Sequence, residues 1–117
     1  MSFQVKRAYE PASPRDGTRV LVDRLWPRGI SKEKLKLDAW AKDLAPSNEL
    51  RKWFHHDVDN WPEFEKRYFE ELSKQPDKVD ELRKQARRHT VTLVYGARDE
   101  THNNAVALKK YLERRSR

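Results

Sequence analysis

The sequence predicts an α/β fold, a single small layered domain in which a mostly parallel central sheet is flanked by helices. Short apolar segments rich in β-branched residues alternate with longer segments whose apolar residues recur at helical spacing, the order typical of layered α/β folds. Residues 90–96 are apolar on both faces, as expected of a central parallel strand covered by helices. The length of 117 residues suits one domain, residues 1–117.

Strand patterns dominate the first half of the chain. Apolar residues that alternate with polar ones, or short β-branched runs, mark the strands, and Pro, Ser, Asp and Gly mark the loop between the first two. In chain order, we predict an edge strand through Phe3 and Val5, a loop over 11–17, a buried strand over 19–23, a brief helix capped by Ser31 and ending at Lys36, and a strand over 37–41 with Leu37, Ala39 and Ala41 on one face.

Helical patterns dominate the second half, around one strong strand. Capping residues, first-turn prolines and apolar stripes define the helices. In chain order, we predict a helix from Ser47 to Phe54, a helix capped by Asn60 with Trp61, Phe64, Tyr68, Phe69 and Leu72 as its stripe, a helix from Pro76 with Val79, Leu82 and Ala86 inward, a strand over 90–96, and a last helix capped by Asp99 or Thr101 with Ala105, Leu108 and Leu112 inward.

The composition excludes several classes of protein. The chain has no cysteine, so disulfide scaffolds, iron–sulfur clusters, thiol catalysis and Cys-type zinc sites are impossible. No apolar run approaches the roughly 20 residues that a membrane span needs, and the first residues lack the apolar stretch of a signal peptide. We therefore expect a soluble, cytoplasmic protein with no cofactor and no membrane contact.

The positive charge is unevenly distributed. The formal net charge is +7, and the excess lies in residues 1–30 and 90–117, whereas the middle of the chain is nearly balanced. The basic tail, residues 109–117, could contact nucleic acid phosphates, and a solvated helix end that complements the helix dipole explains it equally well. The distribution favours a local anion site first and a nucleic-acid surface second.

Polar side chains follow the predicted parallel strands at the points where they end. Because ligands of open parallel sheets bind beyond the carboxyl ends of the strands, we expect these side chains to gather on one rim. They are Arg24 and Arg28 after the second strand, Arg98, Asp99, His102 and Asn103 after the strand over 90–96, and Lys42, Asp43 and Ser47 after the strand over 37–41.

Two interpretations of the rim stay open. Arg24, Arg28 and Arg98 could clamp a phosphate or carboxylate through their guanidinium forks. Alternatively, they could pair with Asp23, Asp43 and Asp99 in structural salt bridges. Asp99 and His102, three residues apart on one helix face, could form a general acid–base pair or an ordinary hydrogen bond at a helix start.

Two further features carry alternatives of the same kind. His55 and His56 suggest a metal site, but adjacent histidines point to different faces of a helix and no closed ligand set is visible, so we expect no metal. Trp26 lies near the rim, where its side chain could form the floor of a pocket or pack in the core.

Three motifs resemble the YeaO-like family of small bacterial and archaeal proteins of unknown function. The motifs are residues 22–29, residues 40–47 with Leu50, Arg51, Trp53 and Phe54, and residues 93–105. The resemblance covers nearly the whole chain and implies a small single-domain α/β fold, but no established activity. Positions that recur in the family correspond to Arg24, Trp26, Arg28, Asp43, Ser47, Arg51, Asp99, His102 and Asn103.

The leading hypothesis is that an Arg-lined cleft at the strand ends binds a small anionic ligand. Its expected ligand-binding residues are Arg24, Arg28, Arg98, Asn103, Asp43, Ser47, Arg51 and Trp26. Hydrolase or transferase chemistry assisted by His102 and Asp99 stays open, and so does the question of whether the chain is an enzyme. The alternatives are a non-catalytic nucleic-acid-binding module and an interaction protein with an aromatic homodimer face.

Overall fold

A computed structural model describes residues 1–55 and 57–114. The described residues contain one four-stranded sheet in which every neighbouring pair of strands is parallel, in the order β1-β4-β2-β3. The α/β fold with a central parallel sheet is therefore confirmed. The strands are β1 (Ser2–Arg7), β2 (Thr18–Leu21), β3 (Ala39–Trp40) and β4 (Thr90–Tyr95).

Five α-helices connect or follow the strands in the described part of the chain. Ser31, Ser47 and Asn103 cap the first, second and fifth of them by accepting a backbone N–H with a side-chain oxygen, which satisfies donors that a helix start leaves unpaired. The helices are α1 (Lys32–Leu35), α2 (Asn48–Phe54), α3 (Trp61–Leu72), α4 (Pro76–Arg88) and α5 (Asn104–Glu113).

The two faces of the sheet are covered unequally. One face supports the main core, where strand residues pack against α2, α3, α4 and α5. The other face carries a small cluster built from Leu21, Val94, Leu35 and Ala8, with Trp26 and Trp40 among the residues at its border. The chain therefore leaves β2 towards the thin side of the sheet, and it leaves β4 towards the thick side.

A buried ion cluster lies on the thin side, near the start of β2. The Asp16 carboxylate accepts hydrogen bonds from the Arg19 guanidinium at 2.6 Å and from the Lys6 ammonium at 3.1 Å. Burial opposes the charged form of Asp16, but hydrogen bonds from the Ser13 backbone, Lys6 and Arg19 outweigh it and lower the pKa of this carboxyl. Thr92 donates to the Asp16 carbonyl oxygen, which ties the cluster to β4.

Most predicted elements are confirmed, and three details are wrong. The strand over 37–41 shrinks to two residues, and Trp40 packs on the thin side whereas Ala39 is exposed. Asn60 precedes α3 but its side chain makes no capping hydrogen bond. Asn103, and not Asp99 or Thr101, caps α5 because its side chain accepts from the Val106 N–H.

Candidate functional site

A crevice forms where the segments after β2 and β4 diverge. These two strands are parallel neighbours, and the chain leaves them towards opposite faces of the sheet. Such switch points are where open α/β sheets bind ligands. Hydrogen bonds join the two segments: the Gly96 N–H donates to Oδ2 of Asp23 at 2.8 Å, and the Asn104 side-chain amide donates to the Val22 carbonyl oxygen at 2.9 Å.

The segment after β2 is fixed in place by side chains that donate to its carbonyl oxygens. Trp40 Nε1 donates to Asp23 at 2.7 Å, and Trp26 Nε1 donates to Ile30 at the same distance. The Tyr9 hydroxyl donates to the Arg28 carbonyl at 3.0 Å. The loop that carries Arg24 and Arg28 is therefore held by hydrogen bonds along its length.

Residues from both segments and from α2 and α3 enclose a cleft of about 430 Å³, which we call the strand-end cleft. This volume lies within the roughly 300–1,000 Å³ of small-molecule sites. The lining residues are Asp23, Arg24, Leu25, Arg28, Pro46, Arg51, Phe54, Phe64, Gly96, Ala97, Asn103 and Asn104.

Two of the three lining arginines are oriented by neighbouring oxygens. Arg24 donates from Nε to the Pro46 carbonyl at 3.2 Å and from Nη2 to the Ala45 carbonyl at 3.4 Å. Arg51 donates from Nη2 to the Asn48 side-chain oxygen at 3.1 Å. These acceptors are uncharged, so they orient the guanidinium groups without neutralising them.

Asp99 and His102 form a network at the start of α5, beside the cleft residue Asn103. Asp99 Oδ1 accepts the N–H groups of Thr101 and His102, both at 2.9 Å, and Oδ2 lies 3.2 Å from His102 Nδ1. The hydrogen bonds from the Thr101 and His102 backbones lower the pKa of Asp99 to about 2. Neither Asp99 nor His102 is among the residues that line the strand-end cleft.

Four expected ligand-binding residues lie outside the cleft lining. Ser47 caps α2, and its hydroxyl donates a hydrogen bond to the Glu71 carboxylate. Asp43 is exposed and pairs with Lys78, and the hydrogen bond and charge of Lys78 lower the pKa of Asp43. The other two are Arg98, which is exposed, and Trp26, which packs edge-on against Trp40 with ring centroids 5.5 Å apart.

The structure brings Arg24, Arg28, Arg51 and Asn103 together and adds residues that sequence reasoning did not propose. Leu25 and Asn104 adjoin residues that were proposed, so their neighbours could have indicated them. Phe54 ended a predicted helix and belonged to one of the family motifs, and Phe64 belonged to the apolar stripe of the next helix. Neither pattern shows that these two residues also line a cleft. The added lining residues are Asp23, Leu25, Pro46, Phe54, Phe64, Gly96, Ala97 and Asn104.

The described residues contain no group of three or more His, Asp or Glu side chains placed to hold a metal ion. His55 ends α2 in a left-handed conformation with φ 45°, and His56 lies outside the described residues. Within the same part of the chain, no helix has the length and apolar character that a membrane crossing requires.

Part of the basic C-terminal region is engaged within the fold. Lys109 pairs with Glu113 at 3.2 Å, and Lys110 pairs with Glu65 at 2.8 Å. Arg83 of α4 donates to the carbonyl oxygens at the end of α5, where cations complement the helix dipole. Residues 115–117 of the predicted basic tail lie outside the described residues.

Fold and site together define a small parallel α/β protein with an arginine-lined cleft at its strand ends. The chain belongs to the family described as the inactive DUF488-N3 subclade, whose model matches residues 2–117. The resemblance to YeaO-like proteins is confirmed as well, because the Escherichia coli protein YeaO is 45% identical over 112 residues, which cover 96% of this chain and 97% of the relative.

Two mycobacterial proteins are equally similar. Mb3100c of Mycobacterium bovis and Rv3073c of Mycobacterium tuberculosis are each 45% identical over 112 residues, covering 96% of this chain and 94% of the relative. These two proteins and YeaO are described as uncharacterized proteins. No solved structure matches the chain.

Proposed function

We propose that this protein binds a small anionic ligand, carrying a phosphate or a carboxylate group, in the strand-end cleft. One observation carries the proposal: Arg24, Arg28 and Arg51 line the same cleft as a single carboxylate, that of Asp23. The lining therefore has an excess of positive charge. Guanidinium groups match phosphate and carboxylate oxygens through pairs of parallel hydrogen bonds.

The orientation of the arginines supports binding further. Arg24 is held by two carbonyl oxygens and Arg51 by one amide oxygen, which leaves other N–H groups of each guanidinium for a ligand, since each carries five donors. A side chain that is already oriented loses less conformational entropy when a ligand binds. The amides of Asn103 and Asn104 add neutral polar groups to the same lining.

The proposed role is binding without bond-making chemistry. Guanidinium groups stay protonated at all physiological pH values and cannot act as a base or nucleophile. Asp99 and His102, the acid–base pair considered from the sequence, hydrogen bond to each other and to Thr101 at the start of α5. The description of the family as an inactive subclade agrees with this role.

Calorimetric titration of the protein with inorganic phosphate and with acetate tests the proposal. We expect one binding site for at least one of these probes, and Arg24→Gln or Arg28→Gln should weaken it by about tenfold to a hundredfold, since a hydrogen bond to a charged group contributes about 1.5–3 kcal/mol. Arg15→Gln is the matched control, because Arg15 is exposed in the turn before β2, at the opposite end of the sheet.

Two results would contradict the proposal. One is the absence of binding by both probes together with salt-dependent binding of oligonucleotides, which would favour a nucleic-acid-binding module. The other is equal weakening by Arg15→Gln and by the cleft variants, because that would place the effect in the overall charge of the protein and not in the strand-end cleft.

A further inference from the structure

We infer that the ligand of the strand-end cleft is an anion with a flat apolar body, such as an aromatic carboxylate or an aryl phosphate. The inference rests on the proposed function and specifies the ligand class. It comes from the part of the lining that the arginines do not supply, which consists of Leu25, Pro46, Phe54, Phe64 and Ala97.

The inner wall of the cleft is aromatic. Phe54 and Phe64 are only 5% and 2% exposed, and their ring centroids lie 4.4 Å apart. Trp61 packs against both rings, with centroids 5.8 Å from Phe54 and 5.4 Å from Phe64. These rings support one another, so the small part of each phenylalanine that borders the cleft is held in place before a ligand binds. Aromatic rings favour other flat rings in offset or edge-on contact.

The mouth of the cleft carries an exposed leucine. Leu25 is 61% exposed, although it lies between Arg24 and Trp26 in a loop whose carbonyl oxygens are held by Trp26, Trp40 and Tyr9. An isolated exposed leucine needs no explanation. Here the leucine lines the same cleft as the two phenylalanines, so an apolar ligand body could contact both the wall and the mouth.

The size of the cleft also favours a ligand with an apolar body. The cleft of about 430 Å³ far exceeds the volume of an inorganic anion, which would reach the arginines and leave water in the rest of the cleft, including over the exposed Leu25. A ring attached to the anionic group would displace that water and gain hydrophobic free energy in proportion to the area covered. The charge of Asp23 in the lining opposes ligands that carry many negative charges, which favours one anionic group.

Paired probes test the inference. Each pair shares an anionic group and differs in the ring: benzoate against acetate, and phenyl phosphate against inorganic phosphate. We expect the ring to tighten binding by about tenfold or more in each pair, which corresponds to about 1.4 kcal/mol or more. Titration followed by heat and by the fluorescence of the four tryptophans measures each dissociation constant.

Leu25→Ser separates the two parts of the site. We expect this exposed substitution to leave the fold intact, to reduce the preference for the ring-bearing probe, and to leave the affinity for inorganic phosphate unchanged. Val58→Ser is the matched control, because Val58 is also apolar and 47% exposed but is not part of the cleft lining. It should change neither affinity.

The outcomes distinguish the inference from the proposed function. If acetate and inorganic phosphate bind as tightly as their ring-bearing partners, the inference is wrong and the anion site stands. If no probe binds, the inference and the proposed function are both refuted. If neutral benzyl alcohol binds as tightly as benzoate, the cleft recognises the ring alone, and the anionic part of both proposals is refuted.

Discussion

Gly17 connects the buried Asp16 to β2, and replacing it by alanine should destabilise the fold severely. The residue has φ 63° and ψ −131°, a backbone region that is essentially restricted to glycine and costs other residues about 1–3 kcal/mol. A Cβ atom at this position would lie 2.1 Å from the Thr90 carbonyl oxygen and 2.9 Å from its carbonyl carbon. Both obstacles are backbone atoms, so no side-chain rotation can relieve the contact.

The expected loss of stability follows from the backbone segments that must move to relieve this contact. Thr90 begins β4, and the pairing of Thr18 with Val91 is the first register position between β2 and β4. Relieving the contact means displacing these strand starts from each other, next to the buried cluster of Asp16, Arg19 and Lys6. Backbone strain and overpacking, each about 1–3 kcal/mol, together predict a loss of about 3 kcal/mol or more from a total stability of about 5–15 kcal/mol.

Gly29→Ala is the matched control for this measurement. Gly29 also has a positive φ, 75°, but a Cβ atom there would meet nothing within 4 Å. Its replacement should cost only the conformational strain, about 1–2 kcal/mol. Urea unfolding followed by tryptophan fluorescence and circular dichroism gives both free energies. If Gly17→Ala loses no more stability than Gly29→Ala, the steric argument at Thr90 is refuted.

Two further predictions concern buried polar groups. Asp16→Asn should destabilise the protein by about 3 kcal/mol, because it leaves Arg19 buried without its anionic partner. In the unaltered protein the pKa of Asp16 is lowered, so the stabilisation by its charged form is complete above the ordinary pKa of 3.8 and is lost as the pH falls below that value. The free energy of unfolding of the variant should therefore depend less on pH below 3.8. Tyr68→Phe should cost about 1–3 kcal/mol in urea unfolding, because the buried carbonyl of Leu44 loses its hydrogen bond; an unchanged midpoint would contradict this.

Local patterns predicted the elements whose stabilising contacts repeat along the chain. Val79, Leu82 and Ala86 of α4 all face the core, as their helical spacing indicated, and β4 lies between two parallel partners, as its two apolar faces indicated. In both cases a periodic pattern reports burial directly, because every turn or every second residue meets the same neighbouring layer.

Features that depend on a single tertiary contact were not predictable in the same way. Trp40 was placed on the polar side of its strand, but its ring packs on Trp26 and its Nε1 donates to the Asp23 carbonyl. Likewise, the two expected capping residues of α5 were Asp99 and Thr101, but Asn103 caps the helix in the fold. The sequence contains the candidates, but only the packed fold chooses among them.

The surroundings of the arginines in the strand-end cleft bear on the two interpretations of the rim. Structural salt bridges to Asp23, Asp43 and Asp99 are the alternative to ligand binding. Asp43 pairs with Lys78 and Asp99 hydrogen bonds at the start of α5, whereas Asp23 lines the cleft together with the arginines. Arg24 donates its hydrogen bonds to backbone carbonyls, and its charge contributes, after that of Lys78, to the lowered pKa of Asp43. A carbonyl orients a guanidinium without cancelling its charge. The proposed anion binding therefore rests on the arginines of the cleft and not on the net charge of +7.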